Sequence, residues 1–263
     1  MKREKLLRFL PYEVDYTILH HCRSAENIGL WIIGSLSILS PMINSLSGNS
    51  VITFFQSSMD FLNFIFIIAY YVLTVVTETF LYPETAGKRR RGFLDNSLGT
   101  KYLPKPTTGY YSNDNVKLGA QKIIVNGFEN CFFSYNIAKA MLPEIIIKNS
   151  LFILGFLSVA YFGFKDRLVA LPMLQILFSS LFITELIHHV NFVVKLKILL
   201  DKFTGVVDSE TDEQRTLADA ILLILDYETT LAYNKAPFSD SVYENMKEKL
   251  TEDWEELKKR YEI

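Results

Sequence analysis

The stretch Asn27–Thr77, NIGLWIIGSLSILSPMINSLSGNSVITFFQSSMDFLNFIFIIAYYVLTVVT, holds one charged side chain, Asp60, and two long apolar runs parted by Ser45-Leu46-Ser47-Gly48-Asn49-Ser50. A hydrocarbon core about 30 Å thick takes roughly 20 mostly apolar residues per helix, and each run is about that long. The stretch therefore reads as two membrane helices. Span one covers Asn27–Leu46, with Trp31 near one interface and Pro41 near the other, where a helix break is tolerated. Span two runs from Val51 without a breaker to Tyr82, just before Pro83. It is longer than a bilayer is thick, so it is expected to tilt or to project beyond it.

Two further apolar runs follow. Ile145–Phe164 contains only Lys148 as a charge, and after Lys165-Asp166-Arg167 comes Leu168–Thr184, whose helical pattern continues through Glu185, His188 and His189 towards Lys195. The pattern predicts an all-α membrane protein with four transmembrane helices, a cytoplasmic loop domain and a helical C-terminal tail. Its expected divisions are an interfacial segment at 1–26, spans one and two within 27–82, the loop domain at 83–144, spans three and four within 145–194, and the tail at 195–263. Residues 1–26 mix Lys2, Arg3, Lys5 and Arg8 with Leu6, Leu7, Phe9 and Leu10, which suits the headgroup boundary or an ordinary juxtamembrane flank. The same segment holds Glu4, Pro11, Glu13 and Asp15 and no short apolar core followed by small residues, so span one is expected to be retained as a signal anchor.

The formal net charge of −2 hides an asymmetry. Lys88-Arg89-Arg90-Arg91 follows span two directly, Lys and Arg outnumber Asp and Glu through residues 84–148, and the tail from Lys195 is acidic. The Ser45–Ser50 connection carries no charge, so the positive-inside rule places both termini and the large loop in the cytoplasm. Cys22 and Cys131 lie in different segments without metal-ligand spacing, and read as ordinary thiols on the reducing side. In the tail, Ser209 and Thr211 precede the apolar pattern Leu217, Ile221, Ile224 and Leu225. Ser241 with Glu244 has capping-box spacing, and Thr251 is placed to cap a last helix over Glu252–Tyr261, whose Lys258-Lys259-Arg260 end suits the helix dipole.

Three groups of residues invite a function. The basic cluster Lys88, Arg89, Arg90 and Arg91 fits a topogenic flank, an anchor on anionic lipid, or a site for a phosphate-bearing ligand. The ligand reading draws on Lys101, Lys105, Lys117 and Lys122 in the same loop with Phe93, Tyr102, Tyr110 and Tyr111 among them. Cations neutralise phosphates while aromatic faces stack on bases, as single-stranded nucleic acid requires. Within span two, Gln56, Asp60 and Asn63 recur about one turn apart. Intramembrane polar residues either line a pathway or bond to a neighbouring helix. Glu185, His188 and His189 share the fourth helix, with Glu78 at matching depth on span two. They read as a polar membrane-exit face or as a vestibule ring, whose carboxylates repeated by symmetry would favour cations; a bundle metal site would need further Glu ligands from neighbouring helices, for which only Glu78 is an obvious candidate. No P-loop, G-x-S-x-G or H-E-x-x-H is present, so neither catalysis nor a cofactor is expected.

The order of two spans, a segment carrying Tyr82-Pro83-Glu84-Thr85-Ala86 and Arg90-Arg91-Gly92-Phe93-Leu94-Asp95-Asn96-Ser97, then Glu129-Asn130, two more spans and a tail with Tyr227-Glu228-Thr229-Thr230-Leu231-Ala232, resembles four-span pore-forming effectors of bacterial anti-phage systems. The Hailong-type membrane effector, coupled to a nucleotidyltransferase and controlled by a single-stranded DNA product, is the family it is most similar to. The resemblance spans the layout of the whole chain and carries no catalytic signature. It implies an inner-membrane homo-oligomer, with a tetramer among the candidate sizes, that depolarises the infected cell. A nucleotide or single-stranded DNA ligand at the cytoplasmic domains would open it or hold it shut. The expectation is thus a ligand-gated channel with Gln56, Asp60, Asn63, Glu78 and Glu185 along its path and Lys88–Arg91, Lys101, Lys105, Tyr110 and Tyr111 at its ligand. A non-conducting scaffold or sensor that binds cytoplasmic proteins is the alternative. A solute transporter is weaker, because no pair of Gly/Pro-broken helices recurs in an inverted repeat.

Overall fold

Helix formation runs further along the chain than the apolar runs alone suggest. In the computed structural model, which describes residues 9–44, 50–163, 181–208, 213–234 and 239–263, the protein is all-helical, with no strand among those residues. Helix α1 (Glu13–Asn44) begins after Pro11, with Glu13 and Asp15 in its first turn where they complement the dipole. No Gly or Pro interrupts residues 13–28, so the second half of the expected interfacial segment is the first part of the same helix as span one. The Ser45–Asn49 connection, the basic residues before Phe9, most of Leu168–Thr184 and the Ser209 and Thr211 caps lie outside the described residues.

Helix α2 (Ser50–Val76) pairs with α1, and the chain does not stop at Pro83. Residues Thr77–Leu81 form one π-helical turn in which the Tyr82 amide donates five residues back, to the Thr77 carbonyl. Helix α3 (Tyr82–Leu98) continues from it. Proline lacks a donor and its ring crowds the preceding turn. Here it falls at the second position of α3, directly after the widened turn, where that cost is small. Span two is therefore the first part of a continuous helix, Ser50–Leu98, of 49 residues.

Residues 83–144 are likewise not a loop. Only 99–119 are irregular, and they are tied at both ends: Gly99, at φ 70°, donates to the Asp95 carbonyl at 3.0 Å, and the Gly119 amide donates to the Ser97 carbonyl at 3.0 Å. The Asp95 carboxylate accepts from the Thr100 hydroxyl at 2.7 Å and from the Tyr102 and Leu103 amides at 2.8 and 2.9 Å, ordering the start of this segment. Phe9 and Thr108 form an isolated antiparallel bridge. Helix α4 (Ala120–Gly163) then runs for 44 residues straight through Pro143, so the expected boundary between loop domain and third span falls inside one helix.

The C-terminal third forms α5 (Leu181–Val207), α6 (Glu213–Tyr233) and α7 (Asp240–Arg260). The described residues divide into two units, a hairpin unit from Pro11–Arg90 with Ala160–Gly163, and a helical unit from Arg91–Val159 and Leu177–Ile263 together with Phe9 and Leu10. In the helical unit α5 buries Phe192, Leu196, Leu199 and Phe203 and exposes Ile187, Val190, Val194 and Ile198 on the opposite side. The two short helices expected at the C-terminus are one. Leu250, Trp254 and Lys258 recur every four residues on a single buried face, and Thr251 turns its hydroxyl to the Lys247 carbonyl at 2.7 Å instead of capping. The cap is Ser239, whose oxygen accepts from the Val242 amide, while Ser241 bonds to the Ser239 hydroxyl.

These assignments separate two substitutions. Ser239→Ala should cost about 1 kcal/mol, the usual value of a lost N-cap. Thr251→Ala, on an exposed mid-helix face, should stay within about 0.5 kcal/mol. Chemical denaturation of the full chain in detergent, followed by Trp fluorescence, checks both, and a larger loss at Thr251 than at Ser239 would restore the two-helix reading.

Candidate functional site

The hairpin unit gathers its polar residues between its own helices. Gln56, Asp60 and Asn63 follow a 4-then-3 spacing that puts them on one face of α2. The Ser40 hydroxyl donates to Asp60, and the Asn63 amide donates to the Ser37 hydroxyl at 3.0 Å. Of the two readings left open by the sequence, bonding to the neighbouring helix is the one this geometry displays. Glu78, half-buried within the π-helical turn, pairs with Arg23 of α1 at 3.6 Å, and the Arg23 guanidinium lies 5.1 Å over the Tyr82 ring. The rest of α2 is apolar and outward: no side chain of the helix is buried, and Phe54, Phe61 and Tyr71 are each about two-thirds or more exposed. Among the described residues, Ser50–Leu98 is the one helix long and apolar enough to cross a membrane. The Glu185 backbone is helical in α5, and its side chain lies outside the described set.

The basic cluster is partly committed. Lys88 bonds to Asp15 at 2.8 Å and to Glu84 at 3.3 Å, so an anionic ligand there competes with two carboxylates. Arg89 is half-buried and Arg90 exposed, and both have partners within the chain. Arg91 is exposed and belongs, with Lys101, Lys105, Tyr110 and Tyr111, to the helical unit. There Lys101 and Lys105 are exposed, and the Lys105 ammonium lies 5.8 Å above the Phe9 ring. Tyr110 meets Tyr111 edge-on with centroids 4.8 Å apart. Tyr111 itself is not a stacking platform. It is 7% exposed, part of the core against Phe93, and its hydroxyl accepts from the Asn130 amide at 3.0 Å. Lys122 is buried too, because the helix that carries it is enclosed on all sides.

The sequence reading missed the polar centre of the helical unit. Asn126, Glu129 and Asn130 lie at i, i+3 and i+4 on α4, one face of a helix otherwise packed in aromatics. The Asn126 amide donates to Asn96 at 2.9 Å and Ser97 at 3.0 Å, closing α4 on the end of α3. The Asn113 amide donates to Asn126 at 2.9 Å and to the Glu129 carboxyl at 2.7 Å, drawing in the irregular segment. Next to it, Lys258 of α7 holds the Ser112 carbonyl and hydroxyl, each at 3.0 Å, and Glu255 at 2.7 Å. The signal was in the sequence, since Asn96-Ser97 and Glu129-Asn130 stand in the phrases that carry the family resemblance.

Burial pushes the Glu129 carboxyl up to about 8, and the Asn113 amide and the Lys258 charge offset only part of that. Burial likewise raises the Cys131 thiol, which is fully enclosed with its sulfur towards the Leu196 carbonyl. His189 is buried with Nε2 at 2.7 Å from the Ala138 carbonyl, while His188 is exposed beside Tyr233, so the two do not converge on one ligand.

A carboxyl that ionises near 4.5 in the unfolded chain and near 8 in the fold binds more protons folded than unfolded across that window. Stability therefore falls as pH rises from about 4.5 to about 8 and levels off above, by on the order of a few kcal/mol. Glu129→Gln should remove this slope and leave the variant more stable than wild type above pH 8. Denaturation midpoints between pH 5 and 9 test it, and an unchanged slope in the variant would place the titration elsewhere.

Neither a family model, nor a curated protein, nor a solved structure matches this chain.

Proposed function

We propose that the chain is the subunit of an oligomeric, ligand-gated ion channel of a bacterial inner membrane, acting as a depolarising effector in anti-phage defence. The observation that carries the reading is the outward surface of α2, 27 residues without a buried side chain and rich in exposed Phe, Ile and Tyr. Water solvates such a surface at a cost of about 25 cal/mol per Å², whereas lipid or a neighbouring subunit covers it without that cost. Apolar exposure of the same kind recurs on α4 at Ile147, Leu151 and Leu154, in the expected third span. Four spans with both termini cytoplasmic, and a pathway built by repeating one hairpin around a symmetry axis, complete the proposal.

The controlling ligand is a nucleotide or single-stranded oligonucleotide supplied by a partner nucleotidyltransferase. In the helical unit Arg91, Lys101 and Lys105 supply exposed cations for its phosphates and Tyr110 a partly exposed ring, with Tyr111 positioning Tyr110 from the core. In the hairpin unit, Lys88 is free to meet an anion only on leaving Asp15 and Glu84. A second reading, a non-conducting membrane scaffold, is favoured by the commitment of Asp60, Asn63 and Glu78 to partners on α1.

Membrane potential separates the two. In bacteria expressing the inserted chain with its activating signal, the channel predicts depolarisation, and Glu78→Gln or Asp60→Asn should change single-channel cation conductance several-fold. Neutralising Lys88–Arg91 should abolish the response to the oligonucleotide while insertion is retained. A potential that holds under all these conditions leaves the scaffold as the account.

A further inference from the structure

Asn63, Tyr70 and Thr77 recur seven apart along Ser50–Leu98, the period at which a helix turns one seam to a partner. The partner is α1, running antiparallel: Asn63 bonds to Ser37, a Cβ on Gly29 would stand 3.8 Å from the Tyr70 ring, and Glu78 pairs with Arg23. Thr77 therefore faces α1 at the level of Arg23 and Glu26. Two carboxylates converge there, since Tyr70 lies in the field of both Glu26 and Glu78, and the Glu26 Oε1 and Glu78 Oε2 atoms are enclosed. They meet one guanidinium, which leaves one negative charge in excess. The Thr77 hydroxyl is the second observation. Thr17, Ser57, Ser58, Thr204 and Thr251 each donate to the carbonyl four residues back. Thr77 is 0% exposed, and its hydroxyl has no hydrogen-bond partner among the described residues. A buried hydroxyl left so is costly unless a ligand meets it. Pro83 brings no amide to the carbonyls of the π-helical turn, and a carbonyl short of its donor is a ligand for a small cation.

We propose that this end of the α1–α2 seam holds one alkali-metal cation, with Glu26 and Glu78 as its carboxylates and the Thr77 hydroxyl as a neutral ligand. The inference deepens the channel reading, and rests on it for the ion's role, by naming the species handled and the place that holds it in the closed hairpin. Hard cations take oxygen ligands, and carboxylate, hydroxyl and carbonyl oxygens are what this end of the seam offers. One ion of unit charge cancels the excess. Among the described residues no three Asp, Glu, His or Cys side chains gather as a divalent metal ion would ask. Because Glu26 belongs to α1 and Glu78 to Ser50–Leu98, the ion bridges the two helices beside the π-helical turn. The Arg23 and Glu78 side chains stay 25% and 18% exposed, so the site opens to solvent on that side.

The test is equilibrium binding of radioactive sodium to the purified full chain in detergent, read by scintillation proximity. One ion per chain should bind, displaced by unlabelled sodium or potassium and not by N-methyl-D-glucamine, which is too large for the site. Thr77→Val, close to isosteric, and Glu26→Gln should each weaken binding at least ten-fold with helical circular dichroism unchanged. Thr77→Ser keeps the hydroxyl and should bind as wild type does, and so should Thr79→Val, exposed on the same turn. A folded wild-type chain that binds no sodium overturns the proposal, as it would if a proton alone neutralised the carboxylates. So does a Thr77→Val variant with wild-type affinity. Sodium binding by a chain that never depolarises a membrane removes the channel and leaves the site standing, whereas depolarisation without sodium binding does the reverse.

Discussion

The helical unit depends on a helix with no side left for water. Eleven consecutive residues of α4, Lys122 to Phe132, are buried, yet they include Asn126, Glu129 and Asn130. An unpaired buried polar group costs about 1–3 kcal/mol, so each of these must find its partner in the fold. They find them in two places: Asn126 at the end of α3, and Glu129 and Asn130 in the irregular segment, at Asn113 and Tyr111. The aromatic side of the same helix sets a second demand. Phe128 lies between Phe203, stacked with centroids 6.2 Å apart, and Trp254, edge-on at 5.2 Å. Gly127 lets α5 and α6 close in, because a Cβ there would stand 2.7 Å from Ile224 and 3.0 Å from the Phe203 ring. One stretch of α4 thus dictates where α3, α5, α6, α7 and residues 110–113 must come.

Much of this is written plainly in the sequence and some of it is not. The helical class and the α1–α2 pair follow from apolar runs and their spacing, because in such segments local pattern and tertiary environment agree. Pro83 misleads because it falls directly after the widened turn at Thr77–Leu81, where the donor it lacks costs little. Thr251 misleads because a hydroxyl that can cap can also bond back to the carbonyl four residues earlier, and only the buried Leu250–Trp254–Lys258 face decides between them. Tyr111 is the sharpest error in the site. A tyrosine among lysines reads as a base-stacking platform, and which tyrosine of an adjacent pair turns inward depends on a partner, Asn130, nineteen positions away.

Several charges among the described residues are paired within the chain. Lys88 is held by Asp15 and Glu84, Lys202 by Asp226, and Lys258 by Ser112 and Glu255. The exposed pairs among these contribute little to stability, about 0–1 kcal/mol each. Under the proposed reading, a phosphate that drew Lys88 from Asp15 and Glu84 would exchange two screened ion pairs for charge-assisted hydrogen bonds, at small energetic cost. Lys258, enclosed beside Glu129, has no such freedom and fastens α7 over residues 112–113.

The hairpin places a condition on any conducting form. With Asp60 held by Ser40, Asn63 by Ser37 and Glu78 by Arg23, the polar face of α2 is turned to α1 and its apolar face outward. A ring of such hairpins in this conformation presents aliphatic and aromatic side chains to any central pathway, and a narrow pathway so lined excludes water and ions. Conduction along α2 therefore requires a second arrangement in which these contacts open and α2 rotates on its axis. The π-helical turn at Thr77–Leu81, where the backbone hydrogen bonds already run over five residues, is the place in Ser50–Leu98 best suited to take up that rotation. Moving the population from one open subunit in a hundred to ninety-nine takes about 5.5 kcal/mol of differential binding, divided among the ligand sites of an oligomer. A few charge-assisted contacts per subunit supply energy of that size, so the committed state of Asp60, Asn63 and Glu78 is what a closed channel of this construction would require.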